Sequence, residues 1–261
     1  MKKIIVHHHI FKNSGTTFDE MLKQAFKENA VFEDSKFPFF RYTPFQIEKI
    51  LFNLSKTSIK SISSHQFPHV TSDIKIKDFE PLSITFLRDP ILRIRSIFNF
   101  KKKYFDKTIT SKNAQNNSFA KWIEITANNK QQLVHINNSQ CSFFSANNDG
   151  RPDREYTGME YIYNFDLCKE NLKKYFFCGI TEEFENSINF LNVKLQKKEI
   201  KELNLVSAKN TTSKNLNKPI AERHAEIKDE IGDELFSFLL YLNRQDSELV
   251  ELCKKQFLFN K

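Results

Sequence analysis

Three groups of residues have types and spacings that could do chemistry. The first is Lys12-Asn13-Ser14-Gly15-Thr16-Thr17, which follows the apolar run "KIIVHHHI" and leads into "FDEMLKQAF". A loop that joins a strand end to a helix start aims several backbone N–H groups at one point, and the helix dipole adds partial positive charge there. Gly15 permits a close backbone approach or a positive φ. The Thr16 and Thr17 hydroxyls and the Lys12 ammonium complete an anion site. The order is unusual: a Walker A loop, G-x-x-x-x-G-K-[ST], carries its lysine after the last glycine, whereas Lys12 comes before Gly15.

The second group lies in "FLRDPILRIRSIFNF". Arg88 sits where a strand becomes a loop, at the sheet edge where open α/β folds bind ligands. Arg93 and Ser96 are spaced to share one face of the helix that follows. An arginine fork beside a hydroxyl suits a phosphate. Taken alone, the segment favours a structural reading, with Arg88 paired to Asp89 or Asp19 and Ser96 a small helix residue. The third group is His65 in "SISSHQFPH", a candidate general base, because an imidazole ordinarily titrates near 6.5 and is mostly neutral at working pH. His69 is its rival, and a purely structural role is open to either. His7 and His8 read as strand residues, and His135 and His224 have no supporting context.

These residues need a frame. Strand character is read over residues 3–10, 61–67, 82–89 and 173–180. Helices are read from Gly15 onward, over 44–56, from Pro90, over 118–129, after residue 180, and throughout the tail from about 220. Asp89 is the natural N-cap of the helix that Pro90 begins. Residues 31–43 and 145–158 read as loops, as does "SAKNTTSKNLNKP". Of these, 145–158 is a candidate lid or substrate loop, and "KNTTSKN" (209–215) a candidate flap over a nucleotide. Strand, tight loop and helix open a doubly wound sheet. The chain of 261 residues shows no linker, so one domain, 1–261, is expected.

A formal charge of +8, from 40 basic and 32 acidic residues, favours anionic partners. Lys36, Arg41, Lys101, Lys102, Lys103, Arg151 and Arg154 are candidates to line a groove for an acidic substrate, though each also reads as a solvated charge. The aromatic residues fall at core spacings rather than as a stacking platform, which argues against single-strand nucleic acid. The four cysteines form no C-x-x-C pair, so a zinc site of usual spacing is not expected and reduced core thiols in the cytosol are. The apolar start "MKKIIV" stops at His7, too short for a secretion signal, and no stretch is long enough to span a bilayer.

Together, "HIFKNSGTT" and "LRDPILRIRS" resemble the sulfotransferases that use 3′-phosphoadenosine-5′-phosphosulfate (PAPS), above all the carbohydrate branch related to uronyl 2-O-sulfotransferases. In that family the loop H-I-P-K-x-x-G-T-[TS] binds the 5′-phosphosulfate, and R-D-P-x-x-R-x-x-S binds the 3′-phosphate. His9, Lys12, Gly15, Thr16 and Thr17 match the first pattern; Arg88, Asp89, Pro90, Arg93 and Ser96 match the second. Phe11 stands where the family usually has proline, which removes no ligand. Weaker echoes continue in "SSHQFPH", "NNSQCSFFS" and "CGITEEFENSINFL", so the resemblance spans most of the chain.

The resemblance implies a P-loop-like three-layer α/β fold, with a central, mainly parallel sheet flanked by helices and a helical C-terminal tail. It implies PAPS as co-substrate with no metal, and a glycan or other hydroxyl-bearing acceptor, acidic or not. With no anchor in view, it implies a soluble bacterial, cytoplasmic enzyme. Residues 12–17, Arg88, Arg93 and Ser96 would hold the nucleotide. Lys12 would stabilise charge on the bridging oxygen as the sulfuryl bond breaks, worth a few kcal/mol for a well-placed donor, and His65 would take the acceptor's proton. Two other readings compete. A kinase or NTPase with an atypical loop is disfavoured by the lysine order and by the lack of a recognisable magnesium aspartate. A non-catalytic basic module for polyanions would show steep salt dependence and would not need His65.

Overall fold

The computed structural model describes residues 1–37, 40–68, 74–147, 149–206 and 218–258. His69, the 209–215 segment and Asn148 within the 145–158 loop lie outside them.

The chain opens with β1 (Lys2–His8), α1 (Gly15–Phe26), β2 (Ala30–Phe32), α2 (Pro44–Ser55), β3 (Ser61–Ser64) and β4 (Phe79–Leu87). It continues with α3 (Pro90–Lys103), α4 (Ile109–Asn116), α5 (Phe119–Ala127), α6 (Cys141–Phe144), β5 (Arg154–Tyr156) and β6 (Tyr161–Tyr163). It ends with α7 (Phe165–Lys174), β7 (Phe177–Ile180), α8 (Phe184–Gln196), α9 (Ile220–Ile231), α10 (Asp233–Leu242) and α11 (Arg244–Phe257).

Five strands form one sheet in the order β2-β3-β1-β4-β7, and every pairing is parallel. The strand-loop-helix opening, the strand before Arg88 and the helical tail are as the sequence predicts. Three assignments are corrected. The segment read as a loop from residue 31 begins inside β2, a strand so short that no period shows in it. The 145–158 stretch holds β5, which pairs antiparallel with β6. Helix α4, short and largely polar, carries no apolar stripe long enough to read, and α7 runs to Lys174, over the start of the stretch read as a strand from residue 173.

The period of two along β1 sorts its side chains onto two faces. Ile4 and Val6 join Ile47 and Leu51 of α2 and Ile62 of β3 in the smaller apolar cluster. Ile5 joins Phe18, Met21 and Leu22 of α1 in the larger one, which runs on to the C-terminal helices. Each of those three α1 side chains is buried, a gain of about 1.5–3 kcal/mol apiece. The same alternation puts His7 on the α1 side, where its ring meets Phe18 edge-on at 4.8 Å. His8 faces the other way, against Tyr175. α3 is capped as expected: Asp89 Oδ1 accepts from Leu92 N at 2.8 Å, and Pro90 occupies the first turn.

The four cysteines are buried and free. Among the described residues no helix is long and apolar enough to cross a membrane.

Candidate functional site

Parallel strands deliver their carboxyl ends to one edge, and there the sequence-marked residues gather. Asp34 follows β2, His65 follows β3, the 9–14 loop follows β1, Arg88 follows β4 and Glu182 follows β7. Their order along the edge is the strand order.

The 9–14 loop is tight. Lys12 and Ser14 both adopt left-handed backbone conformations, at φ 68 and φ 61, which L-residues pay for. Ser14 occupies the N-cap of α1 with no side-chain cap bond. Its carbonyl accepts from Thr17 N and Phe18 N, while among the described residues the N–H groups of Ser14, Gly15 and Thr16 have no backbone acceptor. An uncapped helix start with free donors is an anion cradle. The Thr16 side faces solvent and Thr17 is buried. Gly15 has an ordinary φ; it is glycine because of a close approach. A Cβ there would lie 2.1 Å from His9 Cδ2 and 2.2 Å from His9 Nε2.

The two motif segments are in direct contact. Arg88 Nη1 donates to the Lys12 carbonyl at 3.0 Å, and Arg93 Nε donates to the Phe11 carbonyl at 3.1 Å. Gln140 ties them from below. Its Oε1 accepts from Asn13 Nδ2 at 2.7 Å and from Arg88 N at 2.9 Å, and its Nε2 donates to Arg88 O at 2.9 Å. Asn13 is therefore turned inward, with Nδ2 also donating to Phe86 O and its buried Oδ1 unpartnered. It shapes the loop instead of presenting an amide to a ligand. Asp246 of α11 accepts from Gln140 N and Cys141 N, fixing the tether to the C-terminal tail.

The basic side chains converge with little neutralisation. Arg88 pairs with Glu182 at 3.1 Å, not with Asp89 or Asp19; Glu182 also accepts from Asp89 N. Burial raises the Glu182 carboxyl pKa although Arg88 opposes it. Arg93 is 4% exposed, and burial brings its guanidinium down to about 10, with Asp246 opposing and Arg88 assisting. Only its Nε is hydrogen-bonded among the described residues, so its Nη groups are available. Lys12 has no carboxylate in ion-pair contact there. Its ammonium lies 4.6 Å over the Phe100 ring, and burial, then Arg88 and Arg93, lower it to about 8. Ser96 is buried on the same helix as Arg93, its hydroxyl without a hydrogen bond among the described residues. His224, which had no context in the sequence, reaches Asp89 Oδ1 at 2.9 Å from α9, and the neighbouring Arg223 feels Arg88.

On the β3 side, His65 is accessible, its side chain 46% exposed. Nδ1 is 2.8 Å from Asp34 Oδ2, and His65 N donates to Asp34 Oδ1 at 2.9 Å. The ring stacks on His9, centroids 3.8 Å apart. Behind it, Asp19 of α1 holds His7 Nδ1 at 2.6 Å and His9 Nδ1 at 2.7 Å. Burial alone would raise Asp19, but the two imidazoles hold it well below the usual carboxylate range. Burial lowers His9 to about 4, against the pull of Asp19, so its ring is neutral at ordinary pH.

His7, His9 and Asp19 offer donor atoms within 4.8 Å of one another, a candidate metal cluster. Ligands arranged around a tetrahedral zinc stand about 3.3 Å apart, given bonds near 2.0–2.1 Å. The 2.6 and 2.7 Å contacts to Asp19 are hydrogen-bond lengths, and the donor set fits a carboxylate clasping two imidazole N–H groups.

Asp34, Glu182, Gln140 and the Asp19–His pair were not assigned roles from sequence. Glu182 and Gln140 do lie inside the weaker family echoes, and the period of two already puts His7 and His9 on one face. Of the candidate groove residues, Arg41 and Arg154 are neighbours: Arg41 donates to Ser142 O at 2.8 Å, and Arg154 stacks on Tyr161 at 3.8 Å. Lys101 pairs with Asp106 and Arg151 with Asp149.

No family model matches the chain. Over 261 residues it is 24% identical to an uncharacterized protein of Archaeoglobus fulgidus, a match that takes in 97% of this chain and 98% of that one.

Proposed function

We propose that the protein is a PAPS-dependent sulfotransferase that moves a sulfuryl group to a hydroxyl of a carbohydrate or similar acceptor. The observation that carries this reading is the meeting of the two motif loops, Arg88 on the Lys12 carbonyl and Arg93 on the Phe11 carbonyl. Two anion cradles tied to each other by these bonds suit a nucleotide that is phosphorylated at both ends of its ribose.

In this scheme the free N–H groups of residues 14–16 and the Lys12 ammonium bind the 5′-phosphosulfate, while Arg88, Arg93 and Ser96 take the 3′-phosphate. His65 Nε2 removes the acceptor proton as the new O–S bond forms. The bridging S–O bond breaks, its electron pair stays on the 5′-phosphate oxygen, and Lys12 stabilises the charge that develops there. The leaving group is adenosine 3′,5′-bisphosphate. The lysine precedes the glycine because it serves that bridging oxygen and not a triphosphate threaded on magnesium.

Arg41 and Arg154 have no carboxylate partner among the described residues. Tyr42 N donates to Gln66 O at 3.0 Å, so the backbone beside Arg41 runs next to the segment after His65, while the Arg41 side chain reaches Ser142 O; in the proposal an anionic group of an acceptor meets it there. The free buried thiols fit the cytoplasm, where the proposal places the reaction.

The test is transfer from radiolabelled PAPS to a panel of bacterial polysaccharides and their lipid-linked precursors. Label should appear in an acceptor with wild type, vanish with Lys12→Ala, and fall far more in kcat than in PAPS affinity with His65→Ala. Hydrolysis of ATP with magnesium, and no transfer to any acceptor, would favour the NTPase reading.

A further inference from the structure

We propose that Asp34 is the positioning residue of this site: it keeps the His65 proton on Nδ1 and so presents Nε2 as the atom that receives the acceptor's proton. The inference rests on the base role proposed for His65.

The placement follows from strand register. β2 and β3 run parallel with Phe32 opposite Ser63, and two residues further along each chain come Asp34 and His65. The carboxylate is held by more than the imidazole. Oδ1 accepts from His65 N at 2.9 Å and from the Ser64 hydroxyl at 3.0 Å, leaving Oδ2 for His65 Nδ1 at 2.8 Å. Burial is the largest single influence and would raise the Asp34 carboxyl, but the side-chain and backbone hydrogen bonds from His65, its charge and the Ser64 hydroxyl together outweigh it, and the net direction is downward. An ionised carboxylate is an acceptor only, so Nδ1 must carry the hydrogen and Nε2 is left bare. Among the described residues Nε2 has no hydrogen-bond partner, and the ring is open to solvent.

The face of the ring is fixed as well. His9 stacks against it at 28°. His9 cannot turn freely, because Asp19 Oδ2 holds its Nδ1 and its Nε2 edge lies against Gly15. The titratable groups that face His65 among the described residues are therefore Asp34 on its edge and His9 on its face, with Asp19 and His7 behind. When Nε2 gains a proton, the imidazolium gives Asp34 a charge-assisted hydrogen bond, and the stacked ring beside it is neutral. An aspartate on one nitrogen that leaves the other free to work is the orienting arrangement a histidine base needs.

Asp34→Asn keeps the side-chain shape but offers an amide in place of the carboxylate. Long-range proton–nitrogen NMR of protein with isotopically labelled histidine reads the tautomer without any turnover. Wild type should show His65 protonated on Nδ1. In Asp34→Asn the Nε2–H form should gain at the expense of the Nδ1–H form. In the transfer assay kcat should drop about 100-fold at unchanged PAPS affinity, with partial rescue in Asp34→Glu. In a His65→Ala background Asp34→Asn should cost nothing more. A wild-type tautomer in Asp34→Asn would overturn the positioning role alone. Full transfer by His65→Ala would overturn the base role and the inference with it. An equal loss in the His65→Ala background would make Asp34 merely structural; a thermal melt of Asp34→Asn separates that from misfolding.

Discussion

Arg88 Nη1 donates to the backbone carbonyl of Lys12 at 3.0 Å. A side chain from the end of β4 thus shapes the loop at the end of β1, and it does so with a cation that Glu182 holds from the other side. A cationic site assembled this way stores unfavourable charge proximity until an anion arrives, and several measurable consequences come from that.

The Lys12 ammonium is the clearest case. Burial and two arginines lower its pKa from 10.5 to about 8. Below that value both the folded and the unfolded chain carry the proton, and the folded chain bears the full penalty. Between about 8 and 10.5 the unfolded chain binds more protons, so this group makes stability rise with pH. Lys12→Met should therefore melt at a higher temperature than wild type at pH 7 without nucleotide, while losing nucleotide binding. A lower melting temperature for Lys12→Met would show that the ammonium is not under strain.

Nucleotide affinity should follow the same titration in reverse. Binding an anion favours the charged lysine, so affinity should weaken as pH rises through about 8, and calorimetry in buffers of different ionisation enthalpy should register proton uptake on binding near that pH.

Gln140 makes three hydrogen bonds that join Asn13 to the backbone of Arg88. Gln140→Ala leaves those buried groups unpaired, at a cost of about 2–4 kcal/mol by denaturant unfolding, and should also weaken nucleotide binding, although Gln140 is assigned no ligand contact. Unchanged affinity with reduced stability would limit the tether to a structural part.

Gly15→Ala drives a methyl group into the His9 ring and should destabilise the protein by about 1–3 kcal/mol. His9→Ala opens the space, so the double variant should lose less than the sum of the two single losses. Additive losses would mean that the close approach is not what requires glycine.

Arg41→Ala and Arg154→Ala should each raise KM about tenfold for an acceptor bearing a carboxylate and leave PAPS affinity alone. A matching uncharged acceptor should not distinguish the variants from wild type.

Much of this was legible because the strongest signals are local. "KIIVHHHI" followed by Gly15 and a helical stripe defines a strand, a loop and a helix without help from the rest of the chain, and Pro90 with Asp89 marks where α3 begins. The partners that complete the site are not local. Asp34 stands beyond β2, whose three residues are too few to show alternation, and only the pairing of β2 with β3 brings it to His65. Glu182 and Arg88 are 94 residues apart, and Asn13 and Gln140 are 127 apart. No spacing rule reaches that far, so their meeting belongs to the parallel sheet and to the tail that Asp246 anchors. The inward turn of Asn13 was likewise hidden, since its residue type fits a ligand donor as well as a loop staple.

The most direct measurement is calorimetric titration of the protein with adenosine 3′,5′-bisphosphate in the presence of a magnesium chelator. Saturable one-site binding is expected, not displaced by ATP and lost when Lys12 and Arg93 are both replaced by alanine. No binding, or binding confined to ATP with magnesium, would contradict it.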